Sequence, residues 1–168
     1  MKKNAPGFTL IELLIVIVII GIIAALAVTG LLASKRSANE GSAVSSMRLL
    51  HSAQMTYASS FGAGEFAGDV GAPTTAVFTD LQSRALIDDV LGGASKSGFN
   101  FVGAREQSSS SSPAQFFFSA IPISSDALTG TGIHRFGIAT DGVLRSDTFL
   151  SAQFPDVGSV TAAPAMAN

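Results

Sequence analysis

The 168-residue chain has no cysteine and no tryptophan, two histidines and one tyrosine, and only 13% of its residues are charged. The missing thiols exclude a disulfide framework, a thiolate metal centre, a thiol nucleophile and a lipid-modified cysteine. Two histidines leave little for metal chemistry. Ten basic against twelve acidic residues give a net charge of -2, which excludes general electrostatic attraction to nucleic acid. A soluble domain carries about 25% charged residues, so the deficit, with 47% apolar residues, says that part of this chain avoids water. The length allows one domain with an appendage.

The apolar excess is concentrated at the start. After a polar leader, residues 1–7 with Lys2 and Lys3, the run Phe8 to Val28 contains a single charge, Glu12. As a helix it is about 31 Å long, which matches a hydrocarbon core of about 30 Å. The leading lysines place the N-terminus on the cytoplasmic side and the rest of the chain outside. Three readings compete. A secretory signal accounts for the basic start and the small-residue site Ala25-Leu26-Ala27, with release of a soluble secreted or periplasmic domain after Ala27. A permanent anchor carrying a binding module needs only length and apolarity. Neither predicts an acid inside the run, where it costs about 2.5 to 3.5 kcal/mol on insertion scales. In the third reading the chain is cut between Gly7 and Phe8, and the new α-amino group, four residues before Glu12, becomes its counter-charge within one subunit or between neighbours. The buried acid favours this reading.

The segment Gly7-Phe8-Thr9-Leu10-Ile11-Glu12-Leu13-Leu14 resembles the prepilin processing and methylation motif of type IV pilins and of the pseudopilins of type II secretion systems. The resemblance implies cleavage after Gly7 and N-methylation of Phe8 by a membrane prepilin peptidase, with Glu12 guiding subunit docking. It further implies a subunit that polymerises with copies of itself, served by an inner-membrane platform protein and an assembly ATPase. The precursor would be a single-pass protein of the bacterial inner membrane, and the product an extracellular or periplasmic filament. A structural subunit of a type IV pilus is the leading expectation, because nothing marks a specialised tip subunit; a major-type pseudopilin is the alternative. The chain would be the substrate of an enzyme, not an enzyme.

Helical periodicity continues past Val28 through Ala43, Met47, Leu50, Gln54, Tyr57 and Phe61, while Ser37, Asn39, Glu40, Arg48 and Ser59 fall elsewhere. One helix is therefore expected from about 8 to 60, its first half (8–28) apolar and its second half (29–61) amphipathic. Gly21, Gly30 and Gly41 weaken it locally, and relatives of the resembled family often carry a kinking proline where this chain has Thr29. Flexibility is thus expected at Gly21, Thr29 and Gly30. Met47, Met55 and Tyr57 read as core, and His51 as a satisfied or solvated histidine.

A globular region, 62–157, follows. Residues 62–75 read as a loop, Val77 to Leu91 as one or two short helices closed by Gly92-Gly93, and three or four strands as an antiparallel sheet. The strongest hairpin signal is Asp141-Gly142, which suits a type I′ turn. Six phenylalanines, at 99, 101, 116, 118, 136 and 149, supply the area to cover the helix. The serines 108–112 read as a flexible loop, and 158–168 as a frayed tail. Asp141 and Asp147 could be imagined around calcium, but turn chemistry accounts for Asp141, and no metal site, cofactor or catalytic constellation is expected. The fold class is α+β: a long N-terminal helix packed on a small antiparallel sheet, the layout the resemblance implies.

Overall fold

The computed structural model describes residues 7–126 and 129–166. The element order is α1 (Leu10–Ser60), α2 (Ala76–Ser83), α3 (Asp89–Gly92), β1 (Ser95–Lys96), β2 (Phe99–Glu106), β3 (Gln115–Pro122), β4 (Arg135–Ala139), β5 (Leu144–Asp147) and α4 (Val157–Ala162). The strands form one antiparallel sheet in the order β1-β2-β3-β4-β5. The chain divides into two compact units, Met1–Lys35 and Arg36–Asn168.

In the first unit, β-branched residues dominate from Ile15 to Ile23 and alone would favour a strand. Length and uniform apolarity decide otherwise, because in a bilayer a lone segment can satisfy its backbone only as a helix. Its large apolar side chains, from Leu10 to Leu31, are exposed. Residues 10–60 are helical throughout, Thr29 and Gly30 included. The Thr29 hydroxyl donates to the Leu26 carbonyl at 3.1 Å and the Ser34 hydroxyl to the Gly30 carbonyl at 3.0 Å, so neither presents an unbonded polar group to its surroundings.

In the second unit, the anticipated stripe of α1 meets the sheet. Ala43, Met47, Leu50 and Ala53 are buried with Phe99, Phe101, Phe116, Phe118 and Phe136 in the main core. Tyr57 is partly buried against that core, but Phe61 is outside the helix and exposed, with the Arg84 guanidinium 5.1 Å from its ring. Gln54 is fully buried, and its amide acts as a bridge: Nε2 donates to the Ala67 carbonyl at 3.0 Å while Oε1 accepts from Ala67 N–H at 2.9 Å. The side chain thus satisfies both main-chain groups of a buried loop residue. Gln54→Leu should cost about 1–3 kcal/mol, because it strands both groups; thermal unfolding of the full chain in detergent micelles checks this, and an unchanged midpoint would contradict it.

Residues of α1 outside the apolar stripe are also used. Arg36 Nε donates to the Gly130 carbonyl at 3.1 Å, Asn39 Nδ2 to the Thr131 carbonyl at 3.1 Å, and the Glu40 carboxylate accepts from Ile133 N–H at 2.7 Å and His134 N–H at 3.1 Å. These bonds tie the segment between β3 and β4 to α1, mostly through its main chain.

The sheet has five strands where three or four were expected. The extra one, β1, pairs with β2 through Ser97-Gly98, where φ is +50° and +76°, the positive values a type I′ turn needs at both central positions. At the anticipated I′ site only Gly142 has positive φ, +71°, and Gly142 N–H bonds the Ala139 carbonyl at 2.9 Å. The turn residues Thr140 and Asp141 keep negative φ, so the glycine follows the turn instead of forming its centre.

The frayed tail is corrected as well. Asp156 caps α4, accepting Ser159 N–H at 2.6 Å while Asp156 N–H reaches the Ser159 hydroxyl at 3.3 Å. Val157 and Val160 then bury against Phe117, Ala139 and Phe154 as a second core on the other face of the sheet. Beyond α4, Ser146 N–H bonds the Pro164 carbonyl at 3.2 Å and Met166 N–H the Leu144 carbonyl at 2.9 Å, covering the free side of β5. The free side of β2 is covered by Asp69, Thr74 and Ala94, which bond Arg105, Gly103 and Phe101. Phe149 is 57% exposed and belongs to neither core.

Two carboxylates are held below their ordinary range. The Ser108 hydroxyl, helped by the Arg105 guanidinium, does this for Glu65, and Arg145 does it for Asp141. Each therefore adds stability that is complete above the unfolded carboxylate pKa of about 4 and is lost as pH falls through the depressed folded value. Acid titration of the second unit's fold should show a shallower loss below about pH 4 in Glu65→Gln and Asp141→Asn than in the parent; parallel curves would contradict the assignment.

Candidate functional site

The segment singled out by sequence lies at the start of α1. Gly7, Phe8 and Thr9 are non-helical and exposed, and the helix begins at Leu10. A side chain at position 7 would meet open space. The peptide bond between Gly7 and Phe8 thus sits in accessible backbone directly before an apolar helix. Phe8 lies just outside the helix, which begins at Leu10.

What holds Glu12 is a residue the sequence reading passed over. Thr9 is the N-cap: Glu12 Oε2 accepts from the Thr9 backbone N–H at 2.9 Å and from its hydroxyl at 2.7 Å, while Glu12 N–H reaches Thr9 Oγ1 at 3.3 Å. This reciprocal capping box satisfies otherwise orphaned donors of the first turn, and the carboxylate also meets the positive end of the helix dipole. The signal was available as Thr-x-x-Glu immediately before an apolar run. The acid is therefore satisfied locally before any new amino group exists.

The remaining sequence candidates separate. Gly21, Thr29 and Gly30 lie within α1, exposed, with no neighbouring atom within 4 Å of a side chain built at either glycine. His51 Nε2 is 3.4 Å from the Thr140 carbonyl and its ring lies 5.4 Å from Phe116. Asp141 and Asp147 are each gripped by an arginine fork, Arg145 and Arg135 respectively. Among the described residues no three metal-ligating side chains converge, and α1 is the helix long and apolar enough to cross a membrane.

Accessible backbone at residues 7–9, a capped acid and an exposed apolar helix thus follow one another at the start of the described residues. The prokaryotic N-terminal methylation motif matches residues 2–28. The chain is similar to the type IV wide pilus major component PilA4 of Thermus thermophilus, 60% identical over 38 residues, which is 23% of this chain and 29% of that protein. It is also similar to the type II secretion system core protein G of Aeromonas hydrophila, 43% identical over 56 residues, 33% of this chain and 39% of that protein. The matched stretches thus span well under half of either relative. No solved structure matches.

Proposed function

We propose that the chain is a structural subunit of a type IV pilus, held in the inner membrane by the first part of α1, cut after Gly7, methylated on Phe8 and polymerised through the same helix. The observation that carries this reading is the coincidence of an accessible Gly7-Phe8 bond, Glu12 and an apolar helix whose large side chains from Leu10 to Leu31 are exposed. Lipid covers that surface before assembly, and the helices of neighbouring copies cover it afterwards. Moving from lipid to protein brings little hydrophobic gain, so close packing and charge neutralisation direct assembly. After cleavage the Phe8 amino group supplies a cation for Glu12, and in this reading subunit exchange of that pairing sets the register. A prepilin peptidase, a platform protein and an assembly ATPase are the partners this cycle needs.

A major-type pseudopilin of a type II secretion system is the second reading, supported by the likeness to core protein G. Deletion separates the two: loss of surface fibres supports the pilus, whereas retained fibres with blocked protein export support the secretion subunit. Both share the processing step. Sequencing and mass determination of the mature protein should find methylated phenylalanine, Phe8, at the N-terminus. A start at Val28 would identify a conventional secretory signal and overturn both readings.

A further inference from the structure

We propose that Lys35 is a lipid contact: its ammonium binds the headgroup phosphates of the outer leaflet and fixes the depth at which α1 stands in the bilayer. The proposal rests on the membrane reading of α1. Between Glu12 and Lys35 lie 22 consecutive residues without a charge. At about 1.5 Å per residue they span about 33 Å, close to the thickness of a hydrocarbon core. The two polar side chains near the outer end of that stretch, Thr29 and Ser34, are turned back onto the Leu26 and Gly30 carbonyls of their own helix. Nothing polar before Lys35 therefore competes for the lipid surface. Lys35 is exposed and makes no hydrogen bond or ion pair among the described residues. Its backbone stands about 5 Å beyond Leu32 along the helix, and its flexible stem of about 6 Å lets the ammonium settle among the headgroups. At the other end, Glu12 is capped by Thr9, so the uncharged stretch is bracketed by an acid satisfied within the chain and a cation that is not.

A lysine ammonium without an internal partner recognises a phosphate as a compact point charge. A bilayer presents a dense layer of these at the depth the helix length prescribes. Anionic lipid strengthens the contact, by roughly 1 kcal/mol per basic residue near the surface. Leaving the membrane for a filament then requires Lys35 to release its phosphates, which makes this residue a restraint on premature extraction.

The test uses the full chain with Lys2, Lys3 and Lys96 replaced by arginine, so that Lys35 is the sole lysine, reconstituted into vesicles of phosphatidylethanolamine and phosphatidylglycerol. Solid-state magnetic resonance should detect dipolar coupling between labelled Lys35 Nζ and lipid phosphorus, and magnetisation transfer from acyl-chain protons should reach residues 13–34 and stop there. In Lys35→Leu the acyl-chain contacts should extend to position 35, and in Lys35→Arg they should stay unchanged. Acyl-chain contact without phosphorus coupling, or contacts that still stop at 34 in Lys35→Leu, overturns the proposal and leaves the membrane reading standing. Absence of acyl-chain contact overturns both. Coupling of equal size to inorganic phosphate in maltoside micelles would show an unspecific anion contact and would also overturn it.

Discussion

Replacing Glu12 with alanine is expected to abolish filaments while the precursor still enters the membrane. Two losses combine. The first is local: Glu12 is the reciprocal half of the Thr9 capping box, and loss of such a cap costs roughly 0.5–2 kcal/mol. The second belongs to the proposed assembly, where the Phe8 amino group of a processed subunit would be buried without a counter-charge, at roughly 3–5 kcal/mol per subunit. A loss of that size lowers each association step by about two to four orders of magnitude, so the polymer disappears. Two further variants separate the terms. Glutamine can replace glutamate in a capping box, so Glu12→Gln keeps most of the helix start and loses only the charge. Thr9→Ala does the reverse. Filaments counted by electron microscopy, against precursor and mature protein in membrane fractions, should be absent in Glu12→Gln and reduced but present in Thr9→Ala. Normal fibre yield in Glu12→Gln would falsify the role of the charge.

Removing Arg135 is expected to produce a large loss of stability in the second unit. Its side chain lies on β4, only 7% of the residue is exposed, and each part of the guanidinium is engaged. Nε and Nη2 fork the Asp147 carboxylate at 3.0 and 2.5 Å, Nη1 donates to the Ala152 carbonyl at 2.7 Å, and the group lies over the Phe154 ring at 3.7 Å from its centroid. The exposed Phe149 flanks it at 5.0 Å. Arg135→Met leaves Asp147 without a counter-charge and the Ala152 carbonyl without a donor. Breaking a buried pair from one side costs roughly 3–5 kcal/mol, and because the Asp147 side chain retains 26% exposure the lower end applies. Against a total stability of roughly 5–15 kcal/mol, that lowers the melting midpoint by on the order of 10 °C. The double change Arg135→Met with Asp147→Leu should recover much of the loss, since an apolar replacement of the pair leaves no stranded charge. Arg135→Lys should not, because a point charge cannot reproduce the fork. Thermal unfolding of the full chain and the three variants in detergent micelles decides, and equal midpoints for all would refute the account.

The parts of the molecule legible in sequence are those where one physical signal dominates. The apolar run is too long and too uniform to be anything but a helix, and the stripe from Ala43 to Gln54 is periodic because it packs on a sheet. The alternating phenylalanines of β2 mark its inward face, and four of the six named aromatic positions on β2 and β3, with Phe136 on β4, meet in the core. Phe149 misled because composition was counted without a register: it lies past the last paired residue of β5, Asp147. The Ser97-Gly98 hairpin escaped because a two-residue strand has no periodicity to read, although its turn chemistry was present. The C-terminal helix escaped for a related reason, since six residues bury only two valines and its small residues resemble a loose tail. At the candidate site the acid stood out, but its partner did not. Thr9 was read as part of a processing motif, when its hydroxyl and amide also build the helix start. Gln54 was legible only as a stripe position, because its amide serves a loop residue thirteen positions away in the chain.

The covered flanks of the sheet carry one further consequence. With Asp69, Thr74 and Ala94 on one side and Pro164 and Met166 on the other, adjoining copies are offered few main-chain groups to zip onto. Crowding many such units side by side therefore does not invite strand exchange or runaway aggregation. In the proposed filament, lateral recognition is then written in side chains on the outside, which can be revised one residue at a time while the scaffold beneath them keeps its shape.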